Sequence, residues 1–151
     1  MNGSRKHRFF ATLMALVWGM TLLVFSAQEG VQSGALSGAM ARPLFEFFNV
    51  LPVFQLFFDY DRFHFILRKS AHFFVYFVFG VLTVNAVSSY VKITIYRMMG
   101  LSFFGLVFAL WDETIQRWTL GRVFSMTDIF IDTLGFVVGM LIYKRLFRSQ
   151  R

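Results

Sequence analysis

Four carboxylates lie between two strongly apolar stretches in the second half of the chain. Asp112 and Glu113 close one apolar run, Asp128 and Asp132 open the next, and the short segment between carries Arg117, Gly121 and Arg122. Asp112 and Gln116 stand four residues apart, as do Asp128 and Asp132, so at helical periodicity each pair shares a face. Two such edges turned toward each other suit acid–base work or cation binding, because a carboxylate in a low-dielectric site either takes a proton or is held ionised by a cationic neighbour. Upstream, His72 follows Arg68 and Lys69, and Tyr76 lies one turn further on. An imidazole beside a carboxylate is the usual general base, which makes His72, Glu113 and Asp128 the candidate catalytic groups. Arg68, Lys69 and Arg122 have the chemistry to hold a phosphate or carboxylate. The candidate ligand-binding set is therefore Lys69, His72, Asp112, Glu113, Gln116, Arg122, Asp128 and Asp132. A plainer account makes the acids helix caps neutralised by Arg117 and Arg122, and His72 an interfacial residue. Oxygen ligands of this kind suit Mg²⁺, Ca²⁺ or Mn²⁺, but the spacing matches no established ligand motif and the arginines compete. No metal and no cofactor are expected.

The elements that must position these groups are membrane helices. Of 151 residues, 57% are hydrophobic, 22 are Phe and only 15% are charged, which suits a membrane-embedded unit better than a water-facing domain. A single domain over 1–151 is expected. The net charge of +7 does not point to nucleic acid, because the basic residues sit beside apolar runs rather than on an interleaved basic face. The lack of Cys excludes disulfides, thiol catalysis and Cys-ligated metals.

Apolar runs predict an all-α membrane protein with spans at 9–27, 71–91, 93–111, where Arg97 snorkels to the interface, and 125–143. The first run is longer than the core of a signal peptide and ends in Phe25-Ser26-Ala27-Gln28, so it is expected to stay as a span. Between the first two spans lies a long connection. Its Gly- and Ser-rich start, Gly30 to Gly38, predicts irregular structure. Pro43 to Phe58 is rich in Phe and Leu but is interrupted by Glu46, Asn49 and Pro52, and it reads as an interfacial or re-entrant segment. Gly135 and Gly139 share the Asp132 stripe and predict close helix packing.

With four spans both termini fall on one side. That side gathers Arg5, Lys6, Arg8, Lys92, Arg97 and the basic tail of Lys144, Arg145, Arg148 and Arg151, with no acid among them. All 8 acidic residues fall on the other side. Short cytoplasmic loops carry the excess of Lys and Arg, so both termini are expected in the cytoplasm and the candidate site on the extracytoplasmic side. At about 1.5 Å per helical residue, Asp132 lies roughly 16 Å and Asp128 roughly 22 Å above Tyr143 at the inner boundary, within a hydrocarbon core of about 30 Å. Acids at that depth need a watered cleft or cationic partners.

F-S-A-Q at 25–28 with Ser33 and Ser37, R-K-S-A-H-F-F-V-Y at 68–76, W-D-E-T-I-Q at 111–116 and G-R-V-F-S-M-T-D-I-F-I-D-T-L-G-F-V-V-G at 121–139 together resemble the VanZ-like family of small bacterial membrane proteins. The resemblance implies a multi-pass protein of the bacterial cytoplasmic membrane, in a family named for a member associated with resistance to teicoplanin. It places recurrent polar positions on Lys69, His72, Glu113, Gln116, Arg122 and Asp128. Asp132 departs from the pattern, which usually has Asn there, and adds a negative charge.

Three functions compete. The first is a non-enzymatic protein whose polar, carboxylate-rich cleft binds a lipid-linked envelope precursor or lipoglycopeptide and so alters susceptibility to glycopeptide antibiotics. The second is an enzyme acting on a lipid-linked phosphate or glycan. The third, ion- or proton-coupled transport, needs polar residues continuing inward, for which Thr83, Asn85 and Ser102 are modest candidates. Lipid is the expected surrounding in each, and nucleic acid is not an expected partner. The charge asymmetry makes topology testable. Reporter fusions after residue 92 and at the C-terminus should report cytoplasm, and one near Gly38 the outside. A C-terminus found outside would mean that Pro43 to Phe58 crosses the membrane.

Overall fold

The computed structural model describes residues 3–28 and 30–147, without the side chains at 31–33 and 36. Arg148 and Arg151 of the basic tail lie outside the described residues. Six helices follow one another: α1 (Gly3–Ser26), α2 (Gly30–Phe48), α3 (Pro52–Phe57), α4 (Tyr60–Ser88), α5 (Ile95–Trp118) and α6 (Met126–Phe147). Of these α1, α4, α5 and α6 are long and apolar enough to cross a membrane.

Local chemistry accounts for the helix starts. The Asp59 carboxylate accepts a hydrogen bond from the Arg62 backbone N–H at 2.8 Å and caps α4, and Thr94 does the same for α5 through Arg97. Ser125 caps α6, its hydroxyl accepting from the Asp128 N–H at 3.3 Å. Each cap satisfies a backbone donor that the first helical turn leaves free. Gly121 supplies the positive φ, 76°, that turns the chain from α5 into α6.

The helices run further than the uncharged runs. α4 begins at Tyr60 rather than Ala71 and is 29 residues long, roughly 44 Å at the helical rise, against a hydrocarbon core of about 30 Å. α5 continues past Trp111, so Asp112, Glu113 and Gln116 sit inside it. Charge ends an apolar run but does not end a helix.

The stretch Gly30 to Gly38 is helical, not irregular. Tertiary packing overrides the low helix propensity of Gly and Ser there. Small residues let α2 approach the start of α4: Ala41 is fully buried, and Ser37 Oγ lies 2.9 Å from His64 Nε2. Phe45 packs against Phe54, Tyr60 and Phe63 with ring centres 5.5 to 5.8 Å apart, which folds the short α3 back over α2 and α4.

In the bundle α4 and α6 are parallel neighbours, since Phe73 meets Gly135 and Phe77 meets Gly139 in the same order. α5 runs antiparallel to α6, with Gly105 against the Phe136 ring and Glu113 against Ser125. α1 is antiparallel to α4: Trp18 Nε1 donates to the Val75 carbonyl at 2.9 Å, and Thr12 Oγ1 lies 3.1 Å from Tyr90 Oη. The start of α1, the turn after α4 and the end of α6 therefore share one end of the bundle. There Tyr143 Oη donates to Asn85 Oδ1 at 2.9 Å. The core between holds Tyr76, Phe79, Phe108, Ala109, Phe136 and Met140.

The seam of α4 and α6 leaves no room for side chains at its glycines. A Cβ on Gly135 would fall 2.3 Å from the Phe73 carbonyl oxygen, one on Gly139 2.1 Å from that of Phe77, and one on Gly80 2.1 Å from that of Phe136. These neighbours are backbone and cannot swing aside. Gly139→Ala should destabilise by about 1–3 kcal/mol or more as overpacking. At Gly100, where nothing lies within 4 Å of the added atom, Ala should stabilise the helix by about 0.5–1 kcal/mol. Melting of the two variants in detergent checks the contrast, and equal effects would contradict the seam.

Candidate functional site

The parallel register of α4 and α6 brings Lys69 to Asp128 and His72 to Asp132. The Lys69 ammonium pairs with Asp128 Oδ1, and His72 Nδ1 lies 3.3 Å from Asp132 Oδ1. From α5, Glu113 Oε1 accepts the backbone N–H of Ser125 at 2.5 Å. The carboxylate of α5 thereby takes a donor at the start of α6. Beside it runs a second chain of contacts. Ser26, at the end of α1, donates to Asp112 Oδ1, the Gln116 amide N–H donates to Asp112 Oδ2 at 3.3 Å, and Arg122 Nη1 donates to Gln116 Oε1 at 2.8 Å. Asp112, Glu113, Gln116, Asp128 and Asp132 are each no more than 3% exposed. Lys69 and His72, in the first half of α4, thus meet Asp128 and Asp132 of α6, Glu113 reaches the start of α6, and Asp112, Gln116 and Arg122 form a separate chain with Ser26.

Compensation is incomplete. Among the described residues the ion pairs are Arg42–Glu46, Arg62–Asp59, Lys69–Asp128 and His72–Asp132. The first two are exposed, with 3.9 Å between charged atoms, and such pairs add little stability. Of the four buried carboxylates, Asp128 and Asp132 therefore have Lys69 and His72 as ionic partners, and Asp112 and Glu113 are in none of these pairs. The His72 contact lies off the line of a good hydrogen bond, so neither oxygen of Asp132 receives one, and Glu113 Oε2 and Tyr76 Oη also lack a partner among the described residues. Buried oxygens left so are costly, and they converge where acids from α5 and α6 meet.

Arg122 stands in the α5–α6 loop and does not neutralise an acid directly. Its bond goes to the neutral amide oxygen of Gln116. Burial lowers its pKa from the ordinary guanidinium value and nearby Arg68 lowers it further, while Asp112, Glu113 and Asp128 act in the opposite sense. A guanidinium stays charged at neutral pH all the same. Arg117 is exposed and forms none of these ion pairs, so the account in which Arg117 and Arg122 neutralise the acids gives way to one built on Lys69.

Ser26 and Ser125, to which the sequence assigned no role, hold Asp112 and Glu113. Ser26 lies 86 positions from its partner Asp112, a pairing no local spacing reveals. Ser33 lies in α2, and its side chain is outside the described set. Among the described residues no three His, Asp or Glu groups stand close enough to hold a metal ion.

The Lys69–Asp128 pair makes a direct test. Lys69→Met leaves Asp128 buried without its cation and should cost about 3–5 kcal/mol. Asp128→Asn in the same chain should recover most of the loss. Detergent melting temperatures of the single and double variants measure it, and an equally low melting temperature in the double variant would mean that Lys69 supports the fold by packing alone.

The chain was compared with known proteins. No curated protein and no solved structure matches it. Residues 9–148 match the VanZ/LLP1 family, a stretch that takes in α4, α5, α6, most of α1 and every residue of the buried polar cluster. This all-helical membrane protein belongs to the VanZ/LLP1 family.

Proposed function

We propose that this protein binds an anionic, lipid-linked component of the bacterial cell envelope at the outer end of α4, α5 and α6, and thereby changes susceptibility to glycopeptide antibiotics such as teicoplanin. Single-domain organisation and a cytoplasmic-membrane location with both termini in the cytoplasm belong to the same proposal. The observation that carries it is the state of Arg122. Its guanidinium is part-buried, is bonded to a neutral amide and lies within Coulombic range of Arg68. Neither arginine belongs to any of the described ion pairs. A part-buried guanidinium bonded to an amide rather than to an acid keeps donors for an anion, and its planar fork suits a phosphate.

A second reading is enzymatic. His72 against Asp132, with bare oxygens on Asp132 and Glu113, supplies the elements of general acid–base chemistry on a lipid-linked phosphate or glycan. Lipidomics separates the two. A lipid-linked species that accumulates both in a deletion strain and in one carrying Glu113→Ala favours the enzyme, and altered teicoplanin susceptibility with unchanged lipids favours the binder.

Arg122→Lys tests the binding reading. Because no carboxylate is paired to Arg122, melting in detergent should stay near that of the parent. Lys cannot reproduce the planar fork, so retention of a lipid-linked phosphate in nanodiscs should fall about tenfold or more, the worth of a charged hydrogen bond. Any teicoplanin phenotype of the parent should fall with it. Unchanged retention would remove Arg122 from the ligand.

A further inference from the structure

We propose that the groove between α4 and α6 seats the hydrocarbon chain of a single-chain anionic lipid, with its phosphate at Lys69. The inference rests on the anion-binding reading above and adds the class of ligand and its route.

The buried carboxylates are closed to bulk water, at no more than 3% exposure. Among the cluster, Lys69 lines a groove of about 350 Å³ whose walls include Phe65, Phe73 and Phe74 of α4 and Thr127 and Ile131 of α6. Phe65 and Phe74 are 60% and 61% exposed on membrane-length α4, so the groove opens sideways toward lipid. Its volume is at the lower end of the roughly 300–1,000 Å³ of ligand pockets, room for one chain rather than the two of a diacyl lipid.

Lys69 gives the groove a polar head. An ammonium has three donors. One goes to Asp128, the Phe65 ring lies 5.2 Å from the nitrogen, and Lys69 itself lines the groove. Arg68, exposed and next in the chain, adds a second positive charge. A phosphate oxygen can thus join Lys69 without breaking the pair that holds Asp128. Bilayer tails are as apolar as the groove walls, so a lipid is selected here by packing and by its head group, not by hydrophobicity. An anionic head on one slim chain meets both requirements.

The test places a benzophenone-bearing residue at Phe74, in the groove, or at Phe103, which is 67% exposed on α5 and outside it. Each protein is put in nanodiscs with alkyne-tagged dodecyl phosphate, or with tagged dodecanol, and irradiated. Capture of the phosphate at 74 should exceed both its capture at 103 and capture of the alcohol at 74 by about tenfold, the scale of a charge-assisted hydrogen bond. Equal capture of the phosphate at 74 and 103, with retention still lowered by Arg122→Lys, overturns the groove and leaves the anion reading standing. Phosphate and alcohol captured and retained alike overturn both. A tagged diacyl phosphate captured at 74 as well as the single-chain phosphate overturns the single-chain assignment.

Discussion

Two helix backbones in lipid approach closely only where side chains are absent, and the seam of α4 and α6 is built on that constraint. At Gly80, Gly135 and Gly139 an added carbon would strike a carbonyl of the facing helix within 2.3 Å. Lipid tails offer helices no hydrophobic reason to associate, so close packing and polar contacts must supply it. The parallel register set by these glycines carries upward, where Lys69 reaches Asp128 and His72 reaches Asp132. It also carries downward, where Asn85 meets Tyr143. One seam thus joins both polar layers of the bundle.

The upper layer is held in tension between packing and charge. Four carboxylates lie in the space enclosed by α1, α4, α5 and α6, with Lys69 and His72 as direct ionic partners. The backbone N–H of Ser125, the Ser26 hydroxyl and the Gln116 amide spread the remaining load over hydrogen bonds. Such a cluster is expensive to bury. Its retention in so apolar a bundle fits a site in use better than a device for stability, since small apolar side chains would fill the same space at less cost. Asp132 sharpens the point, because the family resemblance leads one to expect a neutral Asn there, and here its two oxygens have no hydrogen-bond donor.

Around this layer the protein presents two different surfaces. Between two helices of membrane-spanning length stands the α5–α6 loop with Arg122. Toward lipid stands the α4–α6 groove, whose wall includes the Lys69 of the buried pair.

By itself the sequence determined the class of protein, the number of long apolar helices and the identity of the polar residues, because a run of apolar residues long enough to span lipid and a charge interrupting it are local facts. It also located the small-residue stripe of Gly135 and Gly139, a matter of helical period. It could not determine where helices end, since backbone hydrogen bonds continue through charged residues: α4 starts eleven positions before the uncharged run, and α5 continues through Asp112 and Glu113. Nor could it make α2 a helix from a Gly- and Ser-rich stretch, because that choice rests on Ala41 and Ser37 meeting α4. Only the tertiary structure decided the pairing. From the chain, Arg117 and Arg122 are the nearest cations to the acids, one in the last turn of α5 and the other in the loop after it. The parallel seam instead delivers Lys69 from 59 positions away, while the Arg122 guanidinium bonds to the Gln116 amide. Which cation pairs with which acid follows from the register of two helix backbones, and glycines rather than charges set that register.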